Sequence, residues 1–178
     1  LFSVVFSFPK LDDYLYINNG NGTFREALYS SIRHTSRSSM GNDIADINND
    51  GKPDIISTDM MSRERETYMS SGGPMTQSLY EKYLRLGYGH KNARNTLQLN
   101  RGIAPNGHTV FSEIAFKANI ARTTWSWAPL FLDVDNDGLK DLYITNGIPK
   151  RTNNLDARRI HEIESRGMSG NNEISNES

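Results

Sequence analysis

Two nine-residue stretches constrain this chain more than anything else in it. "DINNDGKPD" runs from Asp46 to Asp54 and "DVDNDGLKD" from Asp133 to Asp141, the second beginning 87 residues after the first. Both place acidic or amide side chains at positions one, three, five and nine, with glycine at six. Carboxylates packed this closely repel one another unless a cation sits among them. Oxygen donors in that number select a hard divalent ion, and six to eight flexible oxygens suit Ca2+ better than Mg2+. The expected donors of the first loop are the side chains of Asp46, Asn48, Asp50 and Asp54 with the carbonyl of Lys52. In the second loop they are Asp133, Asp135, Asp137 and Asp141 with the carbonyl of Leu139. Gly51 and Gly138 allow the sharp turn around an ion. An EF-hand is excluded, since position twelve is Ser57 or Ile144 where a bidentate glutamate is required. The alternative is a metal-free hairpin turn, because Asp, Asn and Gly are turn formers in their own right.

The surroundings of the loops repeat as well. Phe24-Arg-Glu matches Phe111-Ser-Glu at the same offset, and "YLYINNG" from Tyr14 resembles "TLQLNRG" from Thr96 at an offset of 82. Each loop is followed at its ninth residue by a β-branched or aromatic run, "DIIST" or "DLYIT", with no room for a helix between. A loop that leaves one strand and enters the next belongs in a β-hairpin. "IADI", "DIIST", "TLQLN" and "TVFSEIAF" then form strands A to D of one antiparallel sheet, a full unit over about residues 43–116. Tyr14 to Leu28 supply strands C and D of a preceding sheet, and "APLFLDV" with "DLYIT" supply A and B of a following one. Radial repetition of four-stranded sheets is a β-propeller. The expected fold is therefore all-β, a propeller fragment of about two blade equivalents with helical inserts. Two blades cannot close a ring, so the remaining blades of a longer protein are expected partners, and the absence of an initial Met fits a fragment.

Residues 1–9 read as an N-terminal strand or upstream remnant, 10–153 as the repeats, and 154–178 as a helix with a polar tail. Between strands B and C lies an insert, residues 61–95. Within it Ser78-Leu-Tyr-Glu81 has capping-box spacing, Leu79, Tyr83 and Leu86 follow at helical period, and Gly87 is placed for a C-cap. A second helix is expected from Leu155 to Arg166, stopped by Gly167.

The loops "DINNDGKPDI" and "DVDNDGLKDL", each after a short apolar strand, resemble the calcium hairpins of FG-GAP repeats in integrin-α-type propellers. The longer unit from "YLYINNGNGTF" through "DIISTDMM" to "NTLQLNRG" is similar to bacterial VCBS-repeat proteins grouped with cartilage acidic protein and the ASPIC/UnbV family. The resemblance implies a secreted or cell-surface propeller with two structural Ca2+ ions and a role in adhesion or in protein or glycan binding. It fixes no ligand.

Enzyme signals are sparse. His34, His90, His108 and His161 show neither HExxH nor paired spacing, no G-x-S-x-G occurs, and "NNGNG" lacks the Lys-Ser/Thr of a phosphate loop. Trp125 and Trp127 could stack on a sugar or pack between blades. The net charge of −1 excludes the basic excess usual for nucleic-acid binding, no apolar run reaches membrane-span length, and the lack of cysteine excludes disulfides and thiol catalysis. The reading is a non-catalytic calcium-binding repeat module. The alternative is part of a propeller enzyme, a lyase or hydrolase, with its active site in blades outside this chain.

Overall fold

The computed structural model describes residues 2–5, 13–71, 75–147 and 154–174. It divides into two compact units, Leu1–Arg63 with Met75–Gly147, and Glu64–Pro74 with Ile148–Ser178. The first unit holds all the strands: β1 (Phe2–Val5), β2 (Tyr14–Asn18), β3 (Phe24–Glu26), β4 (His34–Ser36), β5 (Gly41–Ala45), β6 (Asp54–Thr58), β7 (His90–Asn92), β8 (Thr96–Ile103), β9 (Thr109–Glu113), β10 (Ser126–Leu132) and β11 (Asp141–Asn146). It also contains helices α1 (Leu28–Ser31) and α3 (Gln77–Arg85), whereas α2 (Arg65–Ser70) and α4 (Leu155–Ile174) belong to the second unit.

The central element is a four-stranded antiparallel sheet in the order β5-β6-β8-β9, the four strands expected around the first acidic loop. All five residues of β6 are buried, because both faces of this sheet are covered. Successive side chains of a strand point to opposite faces, and the core divides accordingly. Ile55 packs with Leu15, Leu28, Ile32 and Phe111 on one side. Ile56 packs with Leu97, Ala115 and Ala121 on the other, supported by Phe131, Leu142 and Ile144. The first cluster is shared with the β1-β2-β3 sheet and α1, the second with the β10-β11 ribbon.

The repeat extends to register. Val4 lies opposite Leu15 as Ile56 lies opposite Leu97, and Leu15 and Leu97 are equivalent repeat positions. So β1 occupies the place in its sheet that β6 occupies in the central one. The stretch after Val5 lies outside the described residues, as do residues 148–153 and the tail from residue 175 onward.

Several expectations need correction. The fold is mixed rather than all-β, with open-edged sheets joined by helices and one parallel pair, β4 with β7. That pair is two three-residue strands, too short to leave a periodic signature. Strand A is expected to run through Ile47, but β5 ends at Ala45, because the Asp54 carboxylate accepts the Ile47 N–H at 3.1 Å and takes it out of the ladder. Strand D is expected to run through Phe116, whereas β9 stops at Glu113 and the chain turns, with Ala118 N–H bonding the Ile114 carbonyl and Asn119 at φ 58. Helix α3 is capped by Thr76, whose Oγ1 accepts from Leu79 N–H, and not by Ser78. Glu81, the other half of the expected box, instead receives Gln77 Nε2 at 2.8 Å. Its C-terminus follows expectation: Gly87 (φ 86) follows the last turn, Tyr88 N–H reaches the Tyr83 carbonyl and Gly87 N–H the Leu84 carbonyl, a Schellman closure. Helix α4 begins at the Asn154 cap and runs past Gly167 to Ile174. A glycine inside a helix costs about 1 kcal/mol and does not by itself end it.

Candidate metal centre

Both acidic loops build the same hydrogen-bond scheme. Asp46 accepts Asp50 N–H at 3.0 Å and Gly51 N–H at 2.7 Å, as Asp133 accepts Asp137 N–H at 3.0 Å and Gly138 N–H at 2.9 Å. Asn48 and Asp135 each accept from the same N–H as their neighbour, at 3.2 Å. Asp50 takes Lys52 N–H and Asp137 takes Leu139 N–H, at 2.9 and 2.7 Å. The ninth residue closes each loop, Asp54 on Ile47 N–H and Asp141 on Val134 N–H. Asn49 and Asn136 share φ near 60°, and Gly51 and Gly138 φ of 80° and 85°. These left-handed residues curl the chain so that carboxylates at alternate positions face one centre. The two loops touch: Asn49 Nδ2 donates to the Gly138 carbonyl at 3.1 Å.

The loops differ in how their carboxylates converge. Oxygens of Asp133, Asp135 and Asp141 all lie within 4.8 Å of one another. That spacing fits one coordination sphere of Ca2+, whose oxygens sit about 2.3–2.6 Å from the ion and so at most about 5 Å apart. This trio is the one such cluster among the described residues; Asp137 is not a member, and the first loop has no equivalent. There Lys52 Nζ lies 3.0 Å from Asp50. That hydrogen bond is the main cause holding the Asp50 carboxyl below its usual range. Asp54 is fully buried, and its second oxygen accepts Asn100 N–H at 2.7 Å. Burial pushes the Asp54 carboxyl upward, against the pull of the Asn100 and Ile47 N–H groups. Asp141 lies on a ribbon with no such covering strand and stays exposed.

At the other end of the central strands is a polar cluster that the motif reading missed. Asp59, just past β6, is 1 % exposed and receives Ser36 Oγ at 2.6 Å, Arg37 N–H at 2.9 Å and Ser38 N–H at 2.8 Å. Burial raises its carboxyl and these donors oppose the rise. Asp13 accepts Thr35 Oγ1 at 2.5 Å and lies 3.4 Å from Lys91 Nζ. Asn95 donates to the Ile120 carbonyl and accepts Asp59 N–H. Glu113 pairs with Arg94 at 2.8 Å, and Arg94 also reaches His34 Nε2 at 2.5 Å. Burial works against the charge on Glu113, but His34, Arg94 and the Ala115 N–H around it bring its carboxyl down to about 2. One sequence signal could have found part of this cluster. Asp13 and Asn95 precede equivalent strands, and both are buried polar residues.

The remaining candidates are dispersed. His90 Nδ1 bonds Tyr80 Oη at 2.6 Å, and Trp125 and Trp127 lie tilted with centroids 6.3 Å apart. Trp127 Nε1 donates to the Gly147 carbonyl. No helix among the described residues is long and apolar enough to cross a membrane.

Residues 4–57 match the family model of an FG-GAP-like repeat, a span from β1 through the first acidic loop to β6. No curated protein and no solved structure matches the chain. The matched segment covers under a third of the 178 residues.

Proposed function

We propose that the chain is a non-catalytic, calcium-stabilised binding module, part of a β-propeller of the integrin-α and ASPIC/UnbV type in a secreted or cell-surface protein. The observation that carries this is the acidic-loop scheme, repeated bond for bond 87 residues apart and closing around three convergent carboxylates in the second copy. Asp133, Asp135 and Asp141 would hold the ion, which supplies charge neutralisation and cross-linking of the hairpin. Recognition of a protein or glycan is assigned to the opposite end of the strands. In an antiparallel sheet the β5–β6 turn and the β6–β8 connection lie at opposite strand ends, and long connections on a rigid scaffold are where recognition concentrates.

The test is calorimetric. Titration of the chelator-stripped chain with CaCl2 should give a saturable isotherm with a dissociation constant on the order of 10⁻⁴ to 10⁻³ M. Asp135→Ala, which removes an oxygen donor from the second loop, should weaken it. A wild-type chain that takes up no calcium sinks the proposal.

A further inference from the structure

We propose that this chain associates with copies of itself head to tail, the open face of the β10–β11 ribbon in one copy packing on the open face of the β1-β2-β3 sheet in the next. This extends the repeat stacking within one chain to a contact between chains. It draws on neither the calcium loops nor the insert.

Equivalent positions of the repeat pack in equivalent ways. Ile44 and Ile55 of the central sheet lie in the cluster shared with the sheet before it. Phe131 and Leu142, 87 residues later, likewise lie in the cluster shared with the sheet before theirs. The other face of the central sheet carries Ile56, paired in register with Asp43. Ile56 is 0 % exposed in the cluster that the ribbon supports, and Asp43 accepts the Phe131 N–H. Their counterparts 87 residues on are Tyr143 and Leu130, again paired in register. Tyr143 is 60 % exposed and Leu130 50 %. The positions that meet a following sheet in the centre of the molecule therefore lie open at its end.

The first sheet is open on the opposite side. Leu15 and Ile17 point into the cluster shared with the central sheet, so Tyr14 and Tyr16 point away from it. Their rings stack at 6.0 Å, and Phe24, opposite Asn18 in the β2–β3 ladder, shares their face. Tyr14 is 43 % exposed and Phe24 53 %. In the order of the repeat, this is the face that a preceding sheet would cover.

A second copy satisfies both faces. Each unit of a repeat stack buries its apolar face only against a neighbour, and a stack that stands alone ends in polar caps. Both ends here are aromatic or aliphatic, and exposed apolar faces of this kind mark interaction surfaces. Head-to-tail contact sets the ribbon of one copy before the first sheet of the next. That continues the order the chain itself uses, from first sheet to central sheet to ribbon. A symmetric contact of ribbon on ribbon would join two following-type faces, an arrangement that occurs nowhere among the described sheets.

Sedimentation velocity of the full chain, at concentrations up to about 1 mM, the weak end of protein association, reads the contact. Mass should rise with concentration and pass beyond the dimer, because a head-to-tail contact leaves one open face at each end. Tyr143→Glu and, separately, Tyr14→Glu should each weaken association roughly tenfold or more by placing an unpaired charge in the contact. Both sites are exposed in the single chain, so circular dichroism spectra should be unchanged. An equimolar mixture of the two variants should form a dimer and stop there, since each variant keeps one intact face. A wild-type chain that stays monomeric over the whole range overturns the proposal, as does association that neither substitution weakens. A mixture that forms no dimer overturns the head-to-tail pairing. Dissociation by Ile160→Lys/Ile163→Lys but not by Tyr143→Glu would assign the contact to α4 instead. Calcium uptake, read separately by calorimetry, is untouched by any of these failures.

Discussion

Glu113 shows how a single charge at the end of a strand can stabilise this fold. Its Oε1 accepts the Ala115 N–H at 2.8 Å and its Oε2 faces Arg94, which also lies over the Phe116 ring at 4.7 Å. The carboxyl is therefore anchored to the turn after β9 and to the segment that leads into β8. Its folded-state pKa of about 2 lies below the ordinary 4.5. A depressed carboxyl contributes stability that is complete above the unfolded value and lost as pH falls from 4.5 toward 2. The contribution at neutral pH is on the order of 2–3 kcal/mol, allowing for some solvent screening. Glu113→Gln should be less stable than wild type at pH 7, and the two should converge only as pH approaches 2. Urea midpoints measured from pH 7 to pH 2 decide it, and parallel curves would remove Glu113 from the account.

Between sheets, β5 packs closely against β10. Phe131 N–H donates to Asp43 Oδ2 at 2.7 Å and Thr58 Oγ1 to the Trp127 carbonyl at 3.2 Å. A Cβ on Gly41 would stand 2.5 Å from the Trp127 carbonyl oxygen and 3.1 Å from Ala128 Cα. These are backbone atoms, so a strand must move to admit a methyl group. Gly41→Ala should destabilise by about 1–3 kcal/mol, as overpacking does; a denaturation midpoint equal to wild type would show that the joint is loose. This contact was illegible in the sequence, where Gly41 is one glycine before a strand. The strands and acidic loops were legible because each strand repeats a pattern and each loop spells its donors locally. The β4–β7 pair and the Asp59 cluster were not, since they join residues tens of positions apart through short, polar segments. The capping of α3 was read two residues late for a related reason. Thr76, Ser78 and Glu81 all carry capping side chains, and only geometry chooses among them.

For the molecule as a whole, the question is what an ion at one exposed loop can do to a unit of this size. The second loop joins β10 to β11, whose Phe131, Leu142 and Ile144 support the core cluster around Ile56. Through Asn49 it also touches the first loop, which enters β6 at the centre of the sheet. An ion that fixes the second loop thus binds a structure present in the folded unit and absent from the unfolded chain. With a dissociation constant of about 10⁻⁴ to 10⁻³ M, 10 mM calcium should add roughly 1.4–2.7 kcal/mol by mass action. For a chain of this length that is a rise in Tm of about 3–10 °C. Both tryptophans, Trp125 and Trp127, lie in the strand-bearing unit, so their fluorescence reports its melting and not that of α4. The first loop has a lysine of its own against Asp50, and one fewer carboxylate, so the second should dominate the effect. Asp135→Ala should therefore lose most of this calcium-dependent rise in Tm. A shift that survives Asp135→Ala but vanishes in Asp46→Ala would move the ion to the first loop, and with it the assignment of Asp133, Asp135 and Asp141 as its ligands would fall.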